Sequence, residues 1–141
     1  MKKLILPSFL AAIASFAMSI AIGFAFMFIF PSLNDEYSNT SIFRTWEDPL
    51  MYIYFLQPFF FAFTLAWIWT KVKKLFAENI MNAAFTLTGA YWLVATIPGM
   101  LISYSSYQIS SAMVLSWTVS SFFQTYVASL VIIKMEKRYT A

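Results

Sequence analysis

The sequence predicts an all-α fold, an integral membrane four-helix bundle with both termini in the cytoplasm and a single transmembrane domain over residues 1–141. Three observations carry this reading. Hydrophobic side chains make up 61% of the chain and charged ones 11%, whereas a water-soluble domain has about 25% charged residues. The charged residues fall between or beyond four apolar stretches, each long enough for the roughly 20 helical residues that cross a hydrocarbon core. Eight of the nine Lys and Arg residues lie on the face that would carry both termini, and the positive-inside rule puts that face in the cytoplasm.

The first span, residues 4–30, follows Lys2 and Lys3. Its apolar run continues well past the roughly 7–15 residues of a signal-peptide core, so it is read as a retained span. Ala11, Ser15, Ser19 and Gly23 recur at every fourth residue and form a ridge of small side chains that lets helix backbones approach closely in lipid. Packing against a neighbouring helix of the same chain is the first expectation for this ridge, and a dimer contact is the second.

Pro31 closes the span and opens the outer loop 31–48, which holds Asp35, Glu36, Arg44, Glu47 and Asp48. Asp48 followed by Pro49 has the chemistry of a helix start: a carboxylate that can accept from the first free amides, then a proline that needs no donor. Arg44 can pair with Glu47 or Asp48, and Trp46 fits the aromatic belt at a membrane surface. Asn39-Thr40-Ser41 matches a glycosylation acceptor, a pattern with meaning only in a secretory pathway.

The second span, 49–70, is rich in Phe, Tyr and Trp and contains Gln57-Pro58. Proline lacks the amide donor and crowds the carbonyl four residues back, which predicts a kink between Tyr54 and Pro58. Lys71, Lys73, Lys74 and Glu78 separate it from the third span, 80–103, where Pro98-Gly99 makes a similar break. An uncharged connection leads to the fourth span, 110–133. There Ser116, Ser120, Gln124 and Ala128 form one row beside Ser121, Thr125 and Ser129. Hydroxyls and amides need partners in lipid, so this face is expected to point inward. Met51 also aligns with Met113 and Phe60-Phe61 with Phe122-Phe123, a loose internal repeat of two hairpins.

The chain has no Cys and no His, which removes disulfides, thiolate and imidazole metal ligands, and cysteine or histidine catalysis. None of the four spans contains Asp, Glu, Lys or Arg. Such groups are costly in hydrocarbon and are retained there mainly for function. Their absence argues against proton-coupled transport, intramembrane hydrolysis and a histidine-ligated haem. Serine is abundant, but no base accompanies it. The expectation is therefore no enzyme, no cofactor and no metal. The basic residues form short clusters flanking the spans instead of a stripe along one face, which suits lipid headgroups and topology and not nucleic acid.

Candidate binding residues lie toward the outer half. Gly23, Gln57 with Pro58, Pro98 with Gly99, and Ser116 with Ser120 are expected at similar depth, with Gln124 around the same cavity. Kinks splay helices and free carbonyls, so a cavity rimmed by Tyr104 and Tyr107 would suit a hydrophobic or neutral ligand. The same residues have a structural reading, in which prolines bend helices for packing, amides bond to one another or to backbone, and tyrosines anchor at the membrane surface.

Two stretches carry a family likeness: Phe43 to Phe76, FRTWEDPLMYIYFLQPFFFAFTLAWIWTKVKKLF, and Tyr91 to Ile132, which begins YWLVATIPGMLISYSS. They resemble uncharacterised small prokaryotic four-span membrane proteins of the domain-of-unknown-function type, with a W-x-D-P start to the second helix (Trp46, Asp48, Pro49) and a proline-glycine break in the third. The resemblance covers a little over half the chain. It implies a helical protein of the prokaryotic inner (cytoplasmic) membrane and brings no catalytic residue. The expected function is a non-catalytic membrane protein in contact with lipids, forming a homo-oligomer or serving as a small subunit among other membrane subunits. The alternative is a binder or carrier of a hydrophobic or neutral small molecule through the outer cavity.

Overall fold

A computed structural model describes residues 2–76 and 79–140; Glu78, assigned above to the second basic cluster, lies outside the described residues. The elements are α1 (Lys2–Ile29), α2 (Ser32–Tyr37), a 3₁₀ segment (Pro49–Leu56), α3 (Gln57–Val72), a 3₁₀ turn (Lys73–Leu75), α4 (Ile80–Tyr91), a π turn (Trp92–Thr96), α5 (Ile97–Ser106) and α6 (Ser111–Thr140). Four stretches are long and apolar enough to cross a membrane: Leu4–Ile29, Pro49–Leu75, Ile80–Ser106 and Ser111–Tyr139. Three of these end several residues beyond the expected 70, 103 and 133. Charge marks where an apolar stretch stops, but a helix continues through Lys and Glu without penalty.

The most extensive contact is between α1 and α6; α3 lies against α1, and α4 against α6. Leu4 near the start of α1 and Tyr139 near the end of α6 border one cavity, so the two termini share an end of the molecule. The larger core combines seven buried alanines, Ala11, Ala12, Ala62, Ala66, Ala83, Ala84 and Ala128, with the large side chains of Leu65, Trp69, Leu87, Ile132 and Ile133. Many other large apolar side chains are exposed, among them Phe24, Phe28, Phe60 and Val94. Small residues at the seams allow close backbone approach and dense van der Waals contact, which drives helix packing where the surroundings are as apolar as the side chains.

The small-residue ridge on α1 divides in two. Ala11 and Ser15 are buried in the seam, while Ser19 and Gly23 are half-exposed. A methyl group placed on Gly23 would meet nothing within 4 Å, so close packing occupies only the part of the ridge nearer the termini.

Both proline breaks take specific forms. Pro58 cannot donate to the Tyr54 carbonyl, and the Gln57 amide, one residue earlier, does so instead. That three-residue bond closes a 3₁₀ segment that the Asp48 side chain opens by accepting from Leu50 N at 2.9 Å. No residue of Pro49–Leu56 is buried; Tyr54 and Phe55 meet the Phe16 and Trp46 rings, but the segment is not enclosed by packing that would force the tighter coil back to α. Pro98 likewise has no amide for Val94, and the chain takes a wider turn in which the Ile97 amide reaches the Trp92 carbonyl five residues back. One extra residue per turn rotates the faces before and after the break relative to one another.

The connection 31–48 contains a helix of its own. Pro31 stands at the start of α2, whose Leu33 is fully buried with Ile109 and Met113 in a second, smaller core. This cluster fastens α2 over the start of α6.

Candidate functional site

The two rows of polar residues on α6 do face inward: Ser116, Ser120, Thr125, Ala128 and Ser129 are all buried. The π turn ties into this face at Thr118 and Ser121. It directs Trp92 and Thr96 onto α6, where the Trp92 indole N–H donates to the Thr118 carbonyl at 2.9 Å and the Thr96 and Ser121 hydroxyls pair at 2.7 Å. Further along α6, the Gln124 amide donates to the Ser120 hydroxyl at 3.0 Å, and Thr125 donates back to the Ser121 carbonyl at 2.8 Å. Two hydroxyls in this region, Thr88 Oγ1 and Ser129 Oγ, are buried with no hydrogen-bond partner among the described residues.

The end of the molecule away from the termini is closed by α2. Glu36 accepts from the Ser110 amide at 2.6 Å, placing a carboxylate at the start of α6, where the helix dipole favours negative charge. Ser110 itself caps α6 by accepting from Met113 N at 3.1 Å. The Trp117 indole donates to Tyr37 Oη at 2.8 Å, and Phe43 packs edge-on against Trp117. Burial raises the pKa of the Tyr37 phenol, opposed by hydrogen bonds to Trp117 and Ser116. Arg44 pairs with Asp48 at 2.6 Å. The Leu50 amide and then Arg44 hold the Asp48 carboxyl below its usual range.

The six residues expected to form one outer cavity are distributed differently. Gln57 borders a cavity of about 240 Å³ shared with Phe60, Phe61, Thr64 and Tyr91, where Phe61 of α3 meets Tyr91 of α4 at 5.3 Å between ring centroids. Pro58 is buried at the first turn of α3. Pro98 is exposed on α5. Ser116, Ser120 and Gln124 belong to the α6 seam, and none of them borders the Gln57 cavity. The separation follows from helix order, since α6 packs mainly against α1 and α4, with the π turn and α5 beside it, while Gln57 is exposed on α3.

Gln57 is exposed, and its side chain makes no hydrogen bond among the described residues; the same holds for Thr64 and Tyr91. With a rise of about 2 Å per residue in the 3₁₀ segment, Gln57 lies about 16 Å along the helix from Pro49. At the opposite end from α2, Glu136 of α6 accepts hydrogen bonds from the Trp69 indole and the Lys73 ammonium. Sequence reasoning missed Glu36, Tyr37, Trp69, Trp92, Thr96 and Glu136 as connectors. The one available signal was for Glu136, the lone acid in a basic stretch, with Trp69 and Lys73 one helical turn apart.

Comparison with family models, curated proteins and solved structures finds no match for the chain.

Proposed function

We propose that this chain is a non-catalytic integral membrane protein of an inner (cytoplasmic) membrane, with both termini in the cytoplasm, and that it assembles with further copies of itself or with other membrane subunits. Its inverted distribution, alanine and serine within and phenylalanine without, suits lipid as the surrounding solvent. The placement of eight of nine basic residues at the terminal end supports the orientation.

The observation that carries assembly is Gln57. Gln57 is exposed about 16 Å along the helix from Pro49, within a stretch long and apolar enough to cross a membrane, and an unpaired polar group facing hydrocarbon costs several kcal/mol. Gln57, Thr64 and Tyr91 share one groove and present donors and acceptors that a partner helix can satisfy. A native-mass measurement in mild detergent tests this. The expected result is a defined multimer that Gln57→Leu shifts toward monomer; a monomer at every concentration would overturn it. The cavity beside Gln57 also favours a second reading, binding of a hydrophobic or neutral small molecule, and a stoichiometric non-lipid mass on a monomer would select that one.

A further inference from the structure

The terminal end of the molecule carries a second cavity, of about 220 Å³, between α1, α3 and α6. Leu4, Pro7, Ala66 and Ile132 make its walls apolar, while Lys73, Glu136 and Tyr139 stand at its polar side. We propose that this cleft binds an anionic phospholipid, with the phosphate at Lys73 and the adjoining part of one acyl chain between the apolar walls. The inference rests on the membrane reading given above, because it requires this end to lie at a lipid surface.

The geometry prepares Lys73 for a phosphate. Glu136 accepts from both the Trp69 indole and the Lys73 ammonium, which fixes the ammonium at the cleft instead of leaving it on a free tether. An ammonium has three N–H donors, and this tie uses one. Two donors remain on a side chain that is 39% exposed. The Trp69 ring, itself buried, backs the site. Charge favours an anionic occupant: Lys71, Lys73, Lys74, Lys134, Lys137 and Arg138 cluster at this end, against Glu136 alone among the described acidic residues. Anionic lipid in a cytoplasmic leaflet attracts such basic segments. The volume is below the roughly 300–1,000 Å³ of a pocket that encloses a ligand. The cleft therefore grips the headgroup end of one chain and leaves the rest of the lipid outside.

The test uses the full chain in micelles containing equal amounts of phosphatidylglycerol and phosphatidylcholine, with retained lipid read by native mass spectrometry. The expected result is preferential retention of one phosphatidylglycerol per chain, reduced about fivefold by Lys73→Gln and unchanged by Lys71→Gln, an exposed position outside the cleft. Lys73→Gln also loosens the tie to Glu136, so Thr70→Trp, which fills the exposed rim of the cleft and leaves the ion pair intact, provides an independent variant with the same expected loss. Equal retention of the two lipids, or full retention in both Lys73→Gln and Thr70→Trp, would overturn the proposal. Displacement of the lipid by soluble glycerol phosphate would also overturn it, by identifying a site for free phosphate. The same spectra report protein stoichiometry, so a multimer without selective lipid sinks this inference alone, and a monomer with selective lipid sinks only the assembly reading.

Discussion

Thr96→Val isolates the contribution of the π turn. The side chain is 6% exposed and its hydroxyl lies 2.7 Å from that of Ser121. Valine has the same branched shape, so the change opens no cavity and removes one hydrogen bond between helices. Such bonds average about 0.6 kcal/mol in membrane proteins and reach about 1.7. Two effects then compete at Ser121. Losing its partner leaves a half-buried hydroxyl unpaired, which adds to the loss; turning that hydroxyl to a carbonyl one turn earlier on its own helix recovers part of it. The expected destabilisation is about 0.5–1.5 kcal/mol, read from unfolding in mixed micelles titrated with dodecyl sulfate. Trp92→Phe removes the other tie, from the indole to the Thr118 carbonyl, and keeps the edge-on packing of the ring against Phe122 at 5.7 Å. Because both ties hold one turn, the second loss should be smaller than the first, with a coupling of at least about 0.5 kcal/mol in a double-mutant cycle. A Thr96→Val protein within about 0.3 kcal/mol of wild type, together with an additive double mutant, would refute this and leave Pro98 alone as the cause of the wide turn.

Other consequences are open to direct measurement. Thr88→Val should raise stability by about 1 kcal/mol, because the buried Thr88 hydroxyl has no partner and valine removes an unsatisfied group without changing shape; a loss in the same micelle titration would mean that the hydroxyl is satisfied. Gly23→Ala should stabilise by about 0.5–1 kcal/mol through helix propensity, since the added methyl meets nothing within 4 Å; a drop in stability or in native mass would instead locate a contact with another chain at Gly23. The Asp48 carboxyl is held below its usual pKa by the Leu50 amide and then Arg44, so its contribution is present above the ordinary carboxylate value and is lost as pH falls through the lower folded value. Stability should accordingly decline below about pH 4, and Asp48→Asn should flatten that part of the profile. Tyr37→Phe should cost about 1 kcal/mol by leaving the Trp117 indole without its acceptor, checked by unfolding and by the Trp fluorescence of the outer end.

Features that depend on one residue type at one position could be read directly from the chain. Asp48 before Pro49 is such a feature, and so is the inward polar face of α6, because a row of Ser, Thr and Gln in an apolar helix has few other places to go. The proline breaks could be located but not described. Whether a missing amide produces a tight 3₁₀ coil at Pro58 or a wide π turn at Pro98 depends on what packs around it: nothing is buried along Pro49–Leu56, whereas Thr96 is pressed against α6. Gln57, expected beside Ser116 and Ser120, is set on a different face of the molecule, since apolar periodicity does not tell which of several helices will cover which. The cleft at Lys73 was invisible for a similar reason, as it joins residues from three helices.

Polar ties in this fold converge on one element. Glu36 to Ser110, Trp117 to Tyr37, Trp92 to Thr118, Thr96 to Ser121, and Trp69 and Lys73 to Glu136 all end on α6 or on the residue that caps it. The other long helices contribute mainly alanine and aromatic surface to the seams, so α6 sets register while they fill space. A chain that spends its polar groups so consistently on one internal helix leaves few elsewhere, which gives weight to those it does leave. Gln57 and Thr64 belong to α3 and Tyr91 to α4, and none of the three joins the α6 network. Packing within the chain does not account for them, since Phe61 and Tyr91 meet through ring edges without engaging the hydroxyl. What distinguishes these three groups is that they are polar and share a groove on which Gln57 and Thr64 are exposed and Tyr91 half-exposed, and under the membrane reading proposed above a polar side chain of another helix or a bound small molecule would complete them.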